Sequence, residues 1–315
     1  MHSAVAKPID VNQAKVARRH AEVPPASQTT GRIVFVKAGS IWMMDADGGN
    51  HEQLTVRSLD SADEFPKVSP DGSLLAYSSA KEGDNKIYLQ SMEDMIPDPI
   101  TQGPDRQPAF SPDGSKIAFM HGDPRTQQDL YIVDTKGETE ARLLVEGDDD
   151  FPAQGGAPVW SADGNTIYYA ADRREHQGIG IWSVNVQSGE PKRISHSSGK
   201  SDWVVDKTPA LSPDGKTLVF ASNRHANSRD HAGDFDVYTI DLASGALQRL
   251  TDDPGTIATP VYSQDGLRLY FASTRIRESE FEWEIYTMAA AGGKQRRLTR
   301  DKHPENYAPF VTISN

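Results

Sequence analysis

The side chains that could carry chemistry in this sequence are thinly spread, so their spacing is more informative than their number. There is no cysteine, which excludes disulfides, thiolate nucleophiles and Cys-ligated zinc. Histidine is then the main remaining ligand for a transition metal. His176, His196, His225, His231 and His303 fall in polar segments and could bind such a metal, which would open lyase-type chemistry. No His-x-x-x-His or comparable ligand spacing accompanies them. Asp63, Asp105 and Asp206 each stand three residues before a proline, with Asn306 in the same place. Carboxylates converging on one axis could hold Ca²⁺; alternatively, each caps its own turn through a local hydrogen bond. Arg173, Arg224 and Arg275 each follow an aromatic residue by four positions. They could form a basic arc that binds the carboxylates of a polypeptide or an acidic sugar. The same repetition suits guanidinium groups tied into their own scaffold. Trp203, in SGKSDWVVDK, is either a contact for a peptide or sugar ring or a plug that packs its own loop. A Gly-x-Ser-x-Gly elbow and a Gly-rich loop opening a helix are both absent, leaving serine-hydrolase and nucleotide chemistry without a carrier.

Equivalent spacing implies repeated elements that position these residues. The strings FPKVSPDG, QPAFSPDG, APVWSADG, TPALSPDG and TPVYSQDG recur, and APFVTISN ends the chain. Each unit continues with a second apolar run (IVF, LAY, IAF, IYY, LVF, LYF). A third pairs an aliphatic with an aromatic residue, as in Ile87-Tyr88 and Val237-Tyr238. A fourth follows the type Arg-Leu-Thr. Short β-branched and aromatic runs between turn residues are strands, here designated A to D. Ser-Pro-Asp-Gly supplies the residues a type I turn favours between A and B. The first unit has B, C and D but no A, and the last fragment supplies an A alone. The expectation is an all-β, six-bladed propeller of four-stranded antiparallel blades, closed by pairing the C-terminal strand with the N-terminal blade.

The domain boundaries follow from the repeat. Residues 1–30 lie outside it and read as a flexible arm or linker; residues 31–315 form the propeller. Strand direction puts the A–B and C–D turns at one end, and the B–C and D–A loops at the other. The latter are long and unlike one another, so binding is expected on that face and at the mouth of the channel. The net charge of −12 argues against nucleic acid as a partner. No apolar run reaches the length of a membrane helix, and no signal peptide is visible.

The succession P-x-x-S-P-D-G, an I-A-F-type strand, an I-Y-x-M-D-type strand and R-L-T resembles the TolB-like (PD40, WD40-like) propeller repeat over residues 31–315. The likeness is to the propeller domain of TolB without its N-terminal α/β domain. It implies a periplasmic or secreted binding protein of the bacterial envelope, with a protein or peptide partner and no catalysis. Metal-dependent oligogalacturonate lyases are propellers of related repeat type. The alternative is therefore a carbohydrate-active enzyme using the loop histidines.

Overall fold

The alternation of buried apolar positions along each repeat is realised as six separate four-stranded antiparallel sheets. A computed structural model describes residues 31–56, 61–123, 127–147, 157–173, 176–196, 204–225, 234–252, 255–274, 283–299 and 307–314. The N-terminal arm expected over residues 1–30 lies outside them. Blade 1 holds β1 (Arg32–Lys37), β2 (Ser40–Asp45) and β3 (Glu52–Gln53). Blade 2 is β4 (Asp63–Val68), β5 (Leu74–Ser79), β6 (Lys86–Ser91) and β7 (Pro97–Pro99). Blade 3 is β8 (Asp105–Phe110), β9 (Lys116–His121), β10 (Asp129–Asp134) and β11 (Arg142–Val145). Blade 4 is β12 (Val159–Trp160), β13 (Thr166–Arg173), β14 (His176–Asn185) and β15 (Pro191–Arg193). Blade 5 is β16 (Asp206–Leu211), β17 (Thr217–Ser222), β18 (Asp236–Asp241) and β19 (Leu247–Arg249). Blade 6 is β20 (Ile257–Tyr262), β21 (Arg268–Ser273), β22 (Glu284–Ala289) and β23 (Arg296–Arg297). The last strand, β24 (Tyr307–Ser314), pairs with β1 from Arg32↔Ser314 to Lys37↔Tyr307 and completes blade 1. The ring closes as the repeat requires.

The core is correspondingly divided into six apolar clusters, one at each blade junction. Second-strand aromatics such as Phe35, Phe119, Phe220 and Phe271 are almost wholly buried there. A blade alone would leave both of its apolar faces in water, so neighbouring blades stabilise each other by burial. Among the described residues no helix is long and apolar enough to cross a membrane.

The two ends of the ring are built differently. At one end the A–B turn is locked by its own side chains. The Ser69 hydroxyl donates to Asp71 at 2.6 Å and accepts the Leu74 amide at 2.9 Å, while Gly72 takes a left-handed φ of 78°. Ser111–Asp113, Ser161–Asp163, Ser212–Asp214 and Ser263–Asp265 repeat the 2.6 Å contact. The C–D turns lean on these A–B turns: the amides of Met92, Thr135, Val186, Leu242 and Ala290 donate to Ser73, Ser115, Asn165, Lys216 and Leu267. The innermost strands carry a β-bulge that the sequence reading did not anticipate. Register shifts fall between Glu64/Lys67, Arg106/Ala109, Lys207/Ala210 and Ala258/Val261. The residue before each proline is left-handed: Phe65 at 53°, Gln107 at 60°, Thr208 at 53° and Thr259 at 46°. Such non-glycine conformations cost about 1–3 kcal/mol each, and the bulge they produce re-aims the strand's side chains around the channel.

Candidate functional site at the blade junctions

At the B–C/D–A end, three junctions are sewn together by the start of an innermost strand. The amide of Asp63 donates to Gly39, that of Asp105 to Asn85 and that of Ile257 to Phe235; each acceptor lies in the preceding blade's B–C segment. The threonine or serine that closes a D strand is a hub in this seam. Thr55, Thr101, Ser195, Thr251 and Thr299 accept the amides of Ile41, Ile87, Ile181, Val237 and Ile285 at 2.8–3.0 Å. A hydroxyl that accepts a backbone amide still has a proton to donate, and in four of these blades it meets a carboxylate. Thr55 meets Asp63, Ser195 donates to Asp206 at 2.5 Å, Thr251 donates to Asp236 and Thr299 to Glu284.

The carboxylates come from two places, and the two are complementary. The first residue of an innermost strand supplies Asp63, Asp105 and Asp206; the preceding blade's third strand then has Ser40, Lys86 or Gly180 in the matching place. Where the innermost strand has Ile257 instead, the preceding third strand begins with Asp236; where the sequence has Asn306, it begins with Glu284. The remaining junction pairs Asp129 with Gly155 of the sequence. Each of the six junctions thus receives one carboxylate from these two positions. Asp63, Asp105, Asp206, Asp236 and Glu284 are all at most 3% exposed. A second carboxylate in so dry a seam would repel the first, and none at all would leave the hydroxyl and guanidinium donors short of an acceptor.

Each of these charges has partners. Asp105 accepts the Gly103 amide and the His121 Nδ1, both at 2.7 Å. Asp129 accepts the Gly147 amide at 2.8 Å and Gln127 Nε2 at 3.1 Å. Asp206 accepts the Ser222 hydroxyl at 2.6 Å and the guanidinium of Arg224. Asp236 takes Arg249 Nε at 3.0 Å and lies 3.2 Å from His225 Nε2, while Glu284 is bonded to Arg297. Gly180 fits the same scheme: a Cβ there would come within 2.8 Å of Arg193, whose Nε bonds the Ser195 carbonyl at 2.7 Å. Burial raises the pKa of Asp63 against the pull of the Thr55 hydroxyl and the Lys81 charge. It raises that of Asp236 against Thr251, Arg249 and His225, and lowers that of His225 against the nearby Asp236.

The residues singled out from sequence are therefore distributed as follows. Asp63, Asp105 and Asp206 sit at three different junctions, each turned to donors of its own seam. Asp105 has the expected local contact, to Gly103, whereas Asp63 and Asp206 reach hydroxyls of the preceding blade. Among the described residues, no three His, Asp or Glu side chains come together as a metal site. Arg224 is largely buried: besides Asp206 it donates to the Ser222 hydroxyl at 3.1 Å and the His196 carbonyl at 3.4 Å, and its side chain is 10% exposed. His196 is exposed and His225 half-buried. Arg173 and His176 are paired in register at the end of the β13–β14 hairpin. Arg275, Trp203, Asn306, His231 and His303 lie outside the described residues. Asp236, Glu284, Arg249 and Arg297 were missed. Reading down the repeat for the residue that opens strand C, and the Arg thirteen positions later, would have found them.

Comparison with known proteins places the chain among propellers of one kind. The model of the TolB beta propeller domain (PD40) matches residues 27–229 and 201–313. An uncharacterized protein of Agrobacterium fabrum is 34% identical over 207 residues, 63% of this chain and 66% of that protein. The uncharacterized peptidase YuxL of Bacillus subtilis is 30% identical over 218 residues, 56% of this chain and 31% of that protein. The Tol-Pal system protein TolB of Francisella tularensis is 27% identical over 236 residues, 74% of this chain and 50% of that protein. The chain thus spans less than two thirds of the length of each of these relatives. In structure it is similar to TolB from Acinetobacter baumannii, with a TM-score of 0.70 at 20% identity over 89% of this chain and 66% of that one. At that identity the likeness speaks for the fold alone.

Proposed function

Since the chain belongs to the TolB beta-propeller (PD40) family, we propose that it is a non-catalytic binding propeller of the bacterial envelope. Its partner is a protein or peptide, held by the B–C and D–A loops and the adjoining mouth of the channel. The observation that carries this reading is the carboxylate that each junction of that end receives from one of two repeat positions, buried at five junctions and half-buried, as Asp129, at the sixth. Such a seam fixes the strand ends from which the loops leave, and variable loops on a rigid support are the usual form of a recognition surface. The opposite end spends its side chains on its own stereotyped turns.

In this reading Asp63, Asp105, Asp206 and Arg224 support the surface from beneath. Contacts with the partner fall to the loop residues, with Trp203, Arg173, Arg275 and Asn306 as the proposed anchors. An aromatic residue and arginines are the types that most often dominate such interfaces. The reading is tested by capture from an envelope extract with the intact protein and with a variant whose 226–233 segment is replaced by a short Gly-Ser link. The expected result is a partner retained by the intact protein and lost by the variant, with equal thermal midpoints. A partner retained equally by both, or none retained by either, would remove the loop face as the site.

A further inference from the structure

The end that the loop reading leaves unused holds a cavity of about 400 Å³, where the central channel opens between the A–B turns. Its rim is made by Pro70, Pro112 and Pro213, and its wall by apolar positions such as Phe110, Leu211 and Tyr262. One position of the repeat breaks the pattern. Where four other blades place Ala109, Val159, Ala210 and Val261 in this lining, blade 2 places Lys67.

Lys67 stands three residues before Pro70, so its backbone lies about 10 Å inside the rim along an extended strand. Surrounding protein pulls its pKa from the ordinary 10.5 to about 8, with burial as the cause and no carboxylate of the described residues offsetting it. The neighbouring charge on the same strand, Glu64, is already 3.5 Å from Arg106 of the next blade. An ammonium with no carboxylate partner among the described residues, half-buried in a mainly apolar cavity, is a cost to the fold unless something that enters the cavity answers it.

We propose that this cavity binds the C-terminal end of a peptide, its α-carboxylate on Lys67 and its last apolar side chains against the funnel wall. The order of the lining selects that ligand. A chain entering between the prolines passes Phe110, Leu211 and Tyr262 before it reaches the level that Lys67 shares with Ala109, Ala210 and Val261, so the anion must lead and apolar groups must follow. A peptide C terminus with apolar final residues has this order, whereas an internal Asp or Glu would have to bring two chain segments through the same opening. The size is that of a small-ligand pocket, with apolar positions predominating and Lys67 the one charged group among the described lining residues. The site lies at the opposite end from the loop surface, so either can fail without the other.

The probes are fluorescently labelled hexapeptides whose last two positions sample Ala, Val, Leu, Ile and Phe, each made as the free acid and as the amide. Anisotropy titration of the intact protein should find free acids that bind at least about tenfold more tightly than their amides, the range of a hydrogen bond to a charged group. Lys67→Met should bring acid and amide to equal affinity, and Ala210→Trp should fill the funnel and abolish both. Circular dichroism and thermal midpoints check that the variants fold; Lys67→Met, which removes a desolvated charge, is decisive if Ala210→Trp does not. Equal binding of acid and amide by the native protein, or no binding of either at millimolar peptide, would overturn the proposal. So would saturable binding of dodecanoate without any of the peptides, which would assign the cavity to a lipid.

Discussion

Replacing Lys67 by Met keeps the aliphatic stem in the channel lining and removes only the ammonium. The fall from 10.5 to about 8 corresponds, at about 1.4 kcal/mol for each tenfold, to about 3 kcal/mol of destabilisation when the group is charged in both folded and unfolded chains. The sign follows from linkage. Between about pH 8 and 10.5 the unfolded chain binds more protons than the native one, so native stability rises with pH through that window; below it the penalty is fully present. At pH 7 Lys67→Met should therefore be more stable than the native protein by about 2–3 kcal/mol, and at pH 9.5 the gap should shrink by about 2 kcal/mol. Lys207, whose pKa burial also draws to about 8 and which sits 3.6 Å from the Phe235 ring centroid, titrates in both proteins and cancels in the difference. Urea unfolding of the two proteins at both pH values gives the four free energies required. A gap that stays constant with pH, or a less stable variant, would show that Lys67 is solvated or paired, and would refute the reasoning.

Three other outcomes follow from the junctions and turns. Arg224→Met leaves the buried Asp206 with the Ser195 and Ser222 hydroxyls as hydrogen-bond partners and the charge of Arg193 nearby, and should cost about 2–4 kcal/mol, part of which Asp206→Asn in the same chain should restore. A change within about 0.5 kcal/mol would instead make Arg224 a surface residue. The Ser69 and Ser111 hydroxyls, with the amides and hydroxyls of Ser73 and Ser115, draw the pKa of Asp71 and Asp113 down to about 2. These turns therefore contribute fully above the ordinary carboxylate range and fail only as pH falls through about 2; NMR titration of the two carboxyl carbons should give midpoints there, and midpoints near 3.8 would mean the serines do not donate. Elemental analysis of protein purified without chelator or metal-affinity tag should find no stoichiometric transition metal. Finding one would favour a metal-dependent enzyme that uses the loop histidines.

The closed ring was legible because it is written six times: the proline-led string, the apolar pair and Arg-Leu-Thr recur in register, and the unmatched pieces at the two ends complete one blade. The turn chemistry was legible for the same reason, since Ser-x-Asp-Gly states both its donor and its acceptor. The bulges were not. Phe65, Gln107, Thr208 and Thr259 have no common side-chain property and none is glycine, so nothing local announces a left-handed residue before proline. The roles of Asp63, Asp105 and Asp206 were half visible. Their repetition marked them, but Asp63 and Asp206 depend on Ser and Thr hydroxyls of the preceding blade, an adjacency that exists only in the folded ring, and Asp105 on the Gly103 amide and His121. The exchange between Asp206-type and Asp236-type carboxylates was hidden because each position, taken alone, looks irregularly occupied. Lys67 left a signal that only a column-by-column reading of the repeat exposes, as one cation among Ala, Val and Phe.

The claim that the loop end is the recognition surface is tested most directly by site-specific photo-crosslinking in the cells that express the protein. A photoreactive residue replaces Asp84, exposed in the B–C loop of blade 2, or Ser244, exposed in the C–D turn of blade 5. The account predicts a discrete protein adduct from position 84 and none of the same mass from position 244. An adduct formed from position 244 alone would contradict it and move the recognition surface to the end that carries Lys67.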